Sequence, residues 1–429
     1  MRRHRVLLVA LFLSISCHGF PLVDASEGFP PARFGHRMVY DPVNERVLLF
    51  GGAVWEDRYT FFNDLWSYDY ATNTWNELEC SPKPQGRFNH MMVYNPERHQ
   101  LFLFGGFSAG DRIGDTWLYD LEANEWTQLH PQDSPAPRSD AAIAYDEENG
   151  VIILHDGYCR DNSHPQDTWV YDFGENGWTL MDPEESPKPQ YGHHMIYDSF
   201  NLKAVMYGGH WSYAGTSEHG YSDGVWTYDY PSDTWTKVDT ATSLPKRYWH
   251  ALTHDDRGTM VVFGGSGAMD AVLDDTWLYD IGANTWERLD TDEKPPEREN
   301  SALVYDPVNE KFILFGGLKK VGEPPLNDLW VLDTTEGTWR EVSPEPVSTE
   351  GQEGSTEPTS AEEEDDESSQ TGIPGFPLHS IILSMVLIAC FFMQVGEGRP
   401  TVLSQLRPDR ECGFESHLPH HYKIFIPNA

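Results

Sequence analysis

Val47-Leu48-Leu49-Phe50-Gly51-Gly52 is followed by Asn63-Asp64-Leu65-Trp66-Ser67-Tyr68-Asp69 and then by Asn73-Thr74-Trp75. The pattern is written six times along the chain. The apolar run and its small-residue ending return at 101–106, 152–157, 204–209, 260–265 and 312–317. The paired tryptophans return as Trp117 and Trp126, Trp169 and Trp178, Trp226 and Trp235, Trp277 and Trp286, and Trp330 and Trp339. The first glycine position falls at 51, 105, 156, 208, 264 and 316, so the period is about 50 residues.

One copy contains four strand signals. Residues 33–40 are short and β-rich, and Asp41-Pro42-Val43-Asn44 is turn chemistry. Residues 47–50 are apolar without alternation, as in a strand buried on both faces. The glycine pair ends this strand, tolerates positive φ and leaves room for a neighbouring aromatic. Residues 65–68 alternate as a third strand, and 74–78 make a fourth after the turn at 71–73. Four antiparallel strands per copy, six copies and fixed Trp and Tyr positions resemble a kelch-type β-propeller over residues 29–343. The implied fold is all-β and six-bladed, with the aromatics as filler between blades. The ring is expected to close by packing blade 6 on blade 1 without a swapped strand.

Outside that region the expectations concern targeting. Residues 1–25 read as a signal peptide, with Arg2-Arg3-His4-Arg5 before an apolar stretch. Residues 344–371 are an acidic Ser/Thr/Pro-rich disordered spacer holding ten of the chain's acids. Residues 372–395 carry Gly-Ile-Pro-Gly-Phe-Pro and an apolar stretch long enough for a transmembrane helix. Its Pro374-Gly375-Phe376 is similar to the archaeal C-terminal sorting signals processed by archaeosortases, although these normally end in a basic cluster just after the helix. Residues 396–429 are a short cytoplasmic tail. This layout implies a single-pass cell-surface protein with its propeller outside. The formal net charge of −38 argues against a nucleic-acid partner. Cys80 and Cys159 fall on the same face, where they either pair or stand as two thiols.

The chain direction places the second-to-third-strand and inter-blade loops on one face. The opposite turns are short, whereas these loops are longer and irregular, and binding concentrates on such loops. The blade 4 loop is the most aromatic, with His210, Trp211, Tyr213, His219 and Tyr221 leading to Asp223. Trp55 and Tyr59 add to it from blade 1. These eight residues are the candidate ligand contacts, for an extracellular protein or glycan.

Other recurrences read as structure. Arg33, Arg87, Arg138, Arg247 and Arg298 start inner strands, and Asp64, Asp115, Asp167, Asp223, Asp275 and Asp328 precede third strands, so ion pairs are expected. In blade 4, Tyr191 stands for the arginine, and His194 joins His36, His90 and His250 at one repeat position. His155 fills a blade aromatic slot. No histidine spacing matches a metal-ligand motif, and no catalytic residue or cofactor is assigned. The leading class is a binding or adhesion ectodomain. A kelch-scaffold sugar enzyme, galactose-oxidase-like or sialic-acid-mutarotase-like, and a structural surface component are the alternatives.

Overall fold

The computed structural model describes residues 28–343 apart from 57, 214, 215 and 223. The expected signal peptide, spacer, membrane segment and tail lie outside the described residues. Among the described residues no helix is long and apolar enough to cross a membrane.

The chain folds into six four-stranded antiparallel sheets, each from consecutive segments. In the first, Arg37–Asp41 pairs with Arg46–Phe50, which pairs with Leu65–Asp69, which pairs with Thr74–Glu77. The second strand is sandwiched within its sheet and between neighbouring blades, and Val47 to Phe50 are buried. This accounts for its unbroken apolar run, each such side chain contributing about 1.5–3 kcal/mol on burial. The inner strands are Arg37–Asp41, Met91–Asn95, Ala142–Asp146, His194–Asp198, Ala251–His254 and Ala302–Asp306. Each packs on the next around a common axis, and the sixth packs on the first. No strand is exchanged between the first and last sheets.

The second tryptophan of each blade seals the seam to the blade before it. Trp126 lies 5.0 Å from Phe50, Trp178 5.3 Å from Phe104 and Trp286 4.9 Å from Tyr207. Trp75 lies 5.3 Å from Phe315, so blade 1 closes on blade 6 by the same contact. His155 occupies the aromatic slot of blade 3, 4.7 Å from Trp235.

The aromatic beside the glycine pair is a histidine of the next blade. A Cβ on Gly51 would stand 2.8 Å from the Arg87 carbonyl oxygen and 3.0 Å from the His90 imidazole of the next blade. The Gly52 N–H donates to that carbonyl at 2.8 Å. The pair thus admits the backbone of the next blade and its histidine.

The expected ion pairs form within blades 1, 2, 3, 5 and 6. Arg33 grips Asp64 through two hydrogen bonds of 2.7–2.8 Å. Arg87 with Asp115, Arg138 with Asp167, Arg247 with Asp275 and Arg298 with Asp328 repeat it. The same aspartates accept from the first tryptophans, as Asp64 does from Trp66 at 2.7 Å. Burial works against each carboxylate's charge, but the arginine outweighs it and holds Asp64, Asp115, Asp275 and Asp328 below the usual range.

Blade 4 requires a correction of one residue. Gln190, not Tyr191, occupies the arginine position, because its carbonyl accepts the Gly157 N–H as Arg87's accepts from Gly52. His193 is therefore the repeat histidine. His194 begins the inner strand in register with Tyr207, as Arg37 is with Phe50.

Six backbone hydrogen bonds of 2.7–3.0 Å run around the axis just before the inner strands. Asn89 N donates to Gly35 O, Asp140 to Asn89, Gly192 to Asp140, Trp249 to Gly192, Asn300 to Trp249, and Gly35 to Asn300. All six residues have φ between 50° and 67°. For a bulky residue such as Trp249 this is a strained conformation, held only by its surroundings.

Candidate functional site

The connections expected to be irregular are largely hairpins. Ala53–Trp55 pairs with Tyr59–Phe61, and His210–Ser212 with His219–Tyr221. In blade 2 the second and third strands simply continue, as Gln100–Ser108 and Asp111–Asp120. Each hairpin or loop base leans inward on the residue that precedes the hydrogen-bonded ring. Phe34 meets Ala53, Phe88 meets Phe107, Ser139 meets Tyr158, Tyr191 meets His210, Tyr248 meets Ser266 and Glu299 meets Leu318. These pairs form a collar on the loop face.

The collar carries two aromatic clusters. Over blades 1 and 2, Tyr59 stacks on Phe88 at 5.6 Å and meets Trp55 at 4.5 Å. Phe34, Phe61 and Phe107 complete this cluster. Over blades 3 to 5, Tyr191, Tyr248 and Trp249 are buried together, with Tyr158 and Tyr221 packed on them. His210 lies 5.2 Å from Tyr191 and 5.1 Å from Tyr221, and stacks on His219 at 5.6 Å. The structure therefore brings His210, His219 and Tyr221 into one cluster and Trp55 and Tyr59 into another. Trp211 is half-buried, with the Lys188 ammonium 3.7 Å over its ring and Gly220 packed against it. Tyr213 is exposed beside Trp211. Asp223 lies outside the described residues.

Arg112 stands between the clusters, and sequence reasoning missed it. It is 7% exposed, and its guanidinium lies 3.8 Å over the Tyr158 ring and 5.7 Å from that of Phe107. Its Nε is buried without a hydrogen-bond partner. Burial lowers its pKa against the opposing pull of Asp140 and Tyr158. The five repeat arginines each have an aspartate, whereas Arg112 has rings. Its signal in the sequence is an arginine at a loop position that the repeat does not demand.

Asp140 is the acid at the centre of the face. It is buried and accepts from Asn89 Nδ2 at 2.5 Å, Ser139 Oγ at 2.6 Å and Trp249 Nε1 at 2.8 Å. Burial raises its pKa above the usual carboxylate range, against the pull of these donors and of Arg112 and Arg37. Met269, 94% exposed in the blade 5 loop, is a further residue that periodicity could not single out.

Cys80 and Cys159 are separate buried thiols. Among the described residues no group of three or more His, Cys, Asp or Glu gathers as metal ligands would.

The family described as the KLHDC2/KLHL20/DRC7 Kelch-repeats domain matches residues 9–209 and 152–357. An F-box/kelch-repeat protein of Arabidopsis thaliana is 26% identical over 71% of this chain and 71% of its own length. The flagellar outer arm dynein alpha chain of Chlamydomonas reinhardtii is 25% identical over 67% of this chain. Multiple epidermal growth factor-like domains protein 8 of Mus musculus is 26% identical over 66% of it. The match spans only 7% of the dynein chain and 10% of the mouse protein.

Proposed function

The chain belongs to the kelch-repeat family, and we propose that its propeller is a protein-binding module that holds a segment of a partner on the loop face beside Arg112. The observation that carries this reading is the buried Arg112 guanidinium, packed on aromatic rings with no acid of its own. An incoming carboxylate would supply the missing charge-assisted hydrogen bonds in a desolvated setting. The surrounding rings supply rigid apolar contact of the kind that dominates protein interfaces. Exposed Tyr213 and Met269 extend that surface outward.

A protein segment suits the face better than a glycan. A sugar stacking on Trp211 would have to displace Lys188 from its ring. The same proposal places the propeller outside the cell, supported by the apolar stretches at 6–15 and 373–395. No catalytic step is part of it.

A peptide array tests the reading with the full-length chain and its Arg112→Leu variant. Peptides carrying Asp or Glu are expected to bind the parent chain and to lose at least tenfold in affinity to the variant. Their Asn and Gln counterparts are expected to bind both chains weakly and equally. Acidic peptides held equally by both proteins would sink the Arg112 site.

A further inference from the structure

The loop face is one end of the axis, and the other end opens into a cavity of about 510 Å³ lined by all six inner strands. This volume falls among those of pockets that hold small organic ligands, about 300–1,000 Å³. The hydrogen-bonded ring closes the loop-face end. The turns between the first and second strands of the blades, at Pro42, Pro96, Ser199 and Pro307, form the mouth.

Three levels of side chain differ in chemistry. At the blind end, equivalent positions of the inner strands hold Arg37, Met91, Ala142, His194, Ala251 and Ala302. The three alanines leave space, and Arg37 is the only permanent cation among them. Its guanidinium donates one hydrogen bond, from Nη1 to the neighbouring His36 carbonyl at 3.2 Å. It forms no ion pair among the described residues. Asp140, whose charge bears on it, is already occupied by Asn89, Ser139 and Trp249. Burial brings the Arg37 pKa to about 10, so the group stays charged at neutral pH. At mid-depth the wall is Val39, Val93, Ala144, Ile196, Thr253 and Val304, apolar but for one threonine. Around the mouth, Val43, Phe200 and Val308 are exposed in the turns, and Glu147 and Asp256 stand at the rim.

We propose that this axial cavity binds an amphiphilic monocarboxylate, its acid on Arg37 and its alkyl chain along the apolar wall toward the turn face. A carboxylate gives Arg37 the planar two-oxygen partner that a guanidinium fits. The chain covers apolar surface at mid-depth, and the outer end leaves beside exposed apolar side chains. The rim acids make a second carboxylate at that end unfavourable. This site is distinct from the loop-face site and does not depend on it.

Isothermal titration of the full-length chain with octanoate, suberate and octanol tests the proposal. Octanoate is expected to bind one to one and more tightly than the dicarboxylate suberate or the uncharged octanol. Arg37→Met should weaken octanoate at least tenfold and leave octanol unchanged, while Arg37→Lys, which keeps the charge, should retain part of the binding. Thr253→Phe, which fills the cavity from its wall, should abolish binding of all three. No saturable octanoate binding, equal octanoate affinity in Arg37→Met and Arg37→Lys to that of the parent, or suberate binding as tightly as octanoate would overturn it.

Discussion

The Trp249 indole passes over Gly192 to donate to Asp140 at 2.8 Å, tying blade 5 to blade 3 across blade 4. Gly192 has φ 67°, and a Cβ there would stand 2.8 Å from the indole Cδ1. Gly192→Ala should therefore add backbone strain and push the indole off its acceptor, costing about 2–4 kcal/mol. Urea unfolding measures this, and Trp249→Phe, which removes the hydrogen bond and part of a buried ring, should also destabilise. Equal stability of Gly192→Ala and the parent would show that the ring tolerates a side chain there.

The Arg–Asp pairs make a sharper test of burial. Asp275→Ala leaves the fully buried Arg247 guanidinium without its acid and should cost about 3–5 kcal/mol. Asp290→Ala removes a 3.0 Å pair with Arg288 on an exposed surface and should change stability by less than about 0.5 kcal/mol. Chemical denaturation of both variants decides whether burial or mere pairing sets the value.

Acid should destabilise the protein from about pH 6.5 downward. Burial holds His36, His90, His193, His194 and His250 neutral, with folded pKa values well below the ordinary one. Unfolded, these groups take up protons near pH 6.5 and the folded state does not, so their stability is complete above that pH and lost as pH falls. Each costs about 1.4 kcal/mol per pH unit in that window. Asp64, Asp115, Asp275 and Asp328 add a loss in the same direction below about pH 4. Asp140, Asp156 and Glu77 have raised values and act oppositely, losing stability as pH rises from about 4, whereas His155 and His164, also lowered by burial, add to the histidine side. Calorimetry should give a Tm that falls steeply between pH 6.5 and 5, and a flat profile would contradict the buried histidines.

His155 offers a conservative substitution that should cost little. Its Nδ1 meets Thr168 Oγ1 at 3.1 Å, while its Nε2 is buried without a partner. His155→Phe loses the first contact and removes the orphan, so the change should stay within about 1 kcal/mol. A loss above about 3 kcal/mol in thermal or urea unfolding would mean that the imidazole does more than fill its slot.

The two propeller thiols should be slow to react. Burial raises the pKa of both Cys80 and Cys159, and the thiolate is the reactive form. Alkylation of the folded chain at pH 8, followed by peptide mapping, should leave both unmodified until denaturant is added.

The blades were legible because apolar runs, glycine pairs and tryptophans recur wherever one blade must seat on the next. His155 was readable as a stand-in for the same reason. The blade 4 register slipped by one residue because Tyr191 and His194 satisfy the pattern as well as Gln190 and His193 do. The Gly157 hydrogen bond to Gln190 and the pairing of His194 with Tyr207 separate the alternatives. The loop-face candidates stand out by aromatic content, which does not reveal that Lys188 covers Trp211 or that Arg112 is left without an acid. Arg37 was hidden differently. It sits in an ordinary strand, and only the alanines at the same level of three other blades expose its charge to a cavity.

Because the six sheets are each made from consecutive strands, and the last seam matches the others, the order of blades along the chain carries no architectural information. Phe29 packs on Trp75 and Phe315, and the Ser343 carbonyl accepts from Asn73, so the two ends of the ring meet at the same blade. A circular permutant that joins residues 343 and 29 through a short linker and opens between residues 130 and 136 would still place every strand beside its present neighbours.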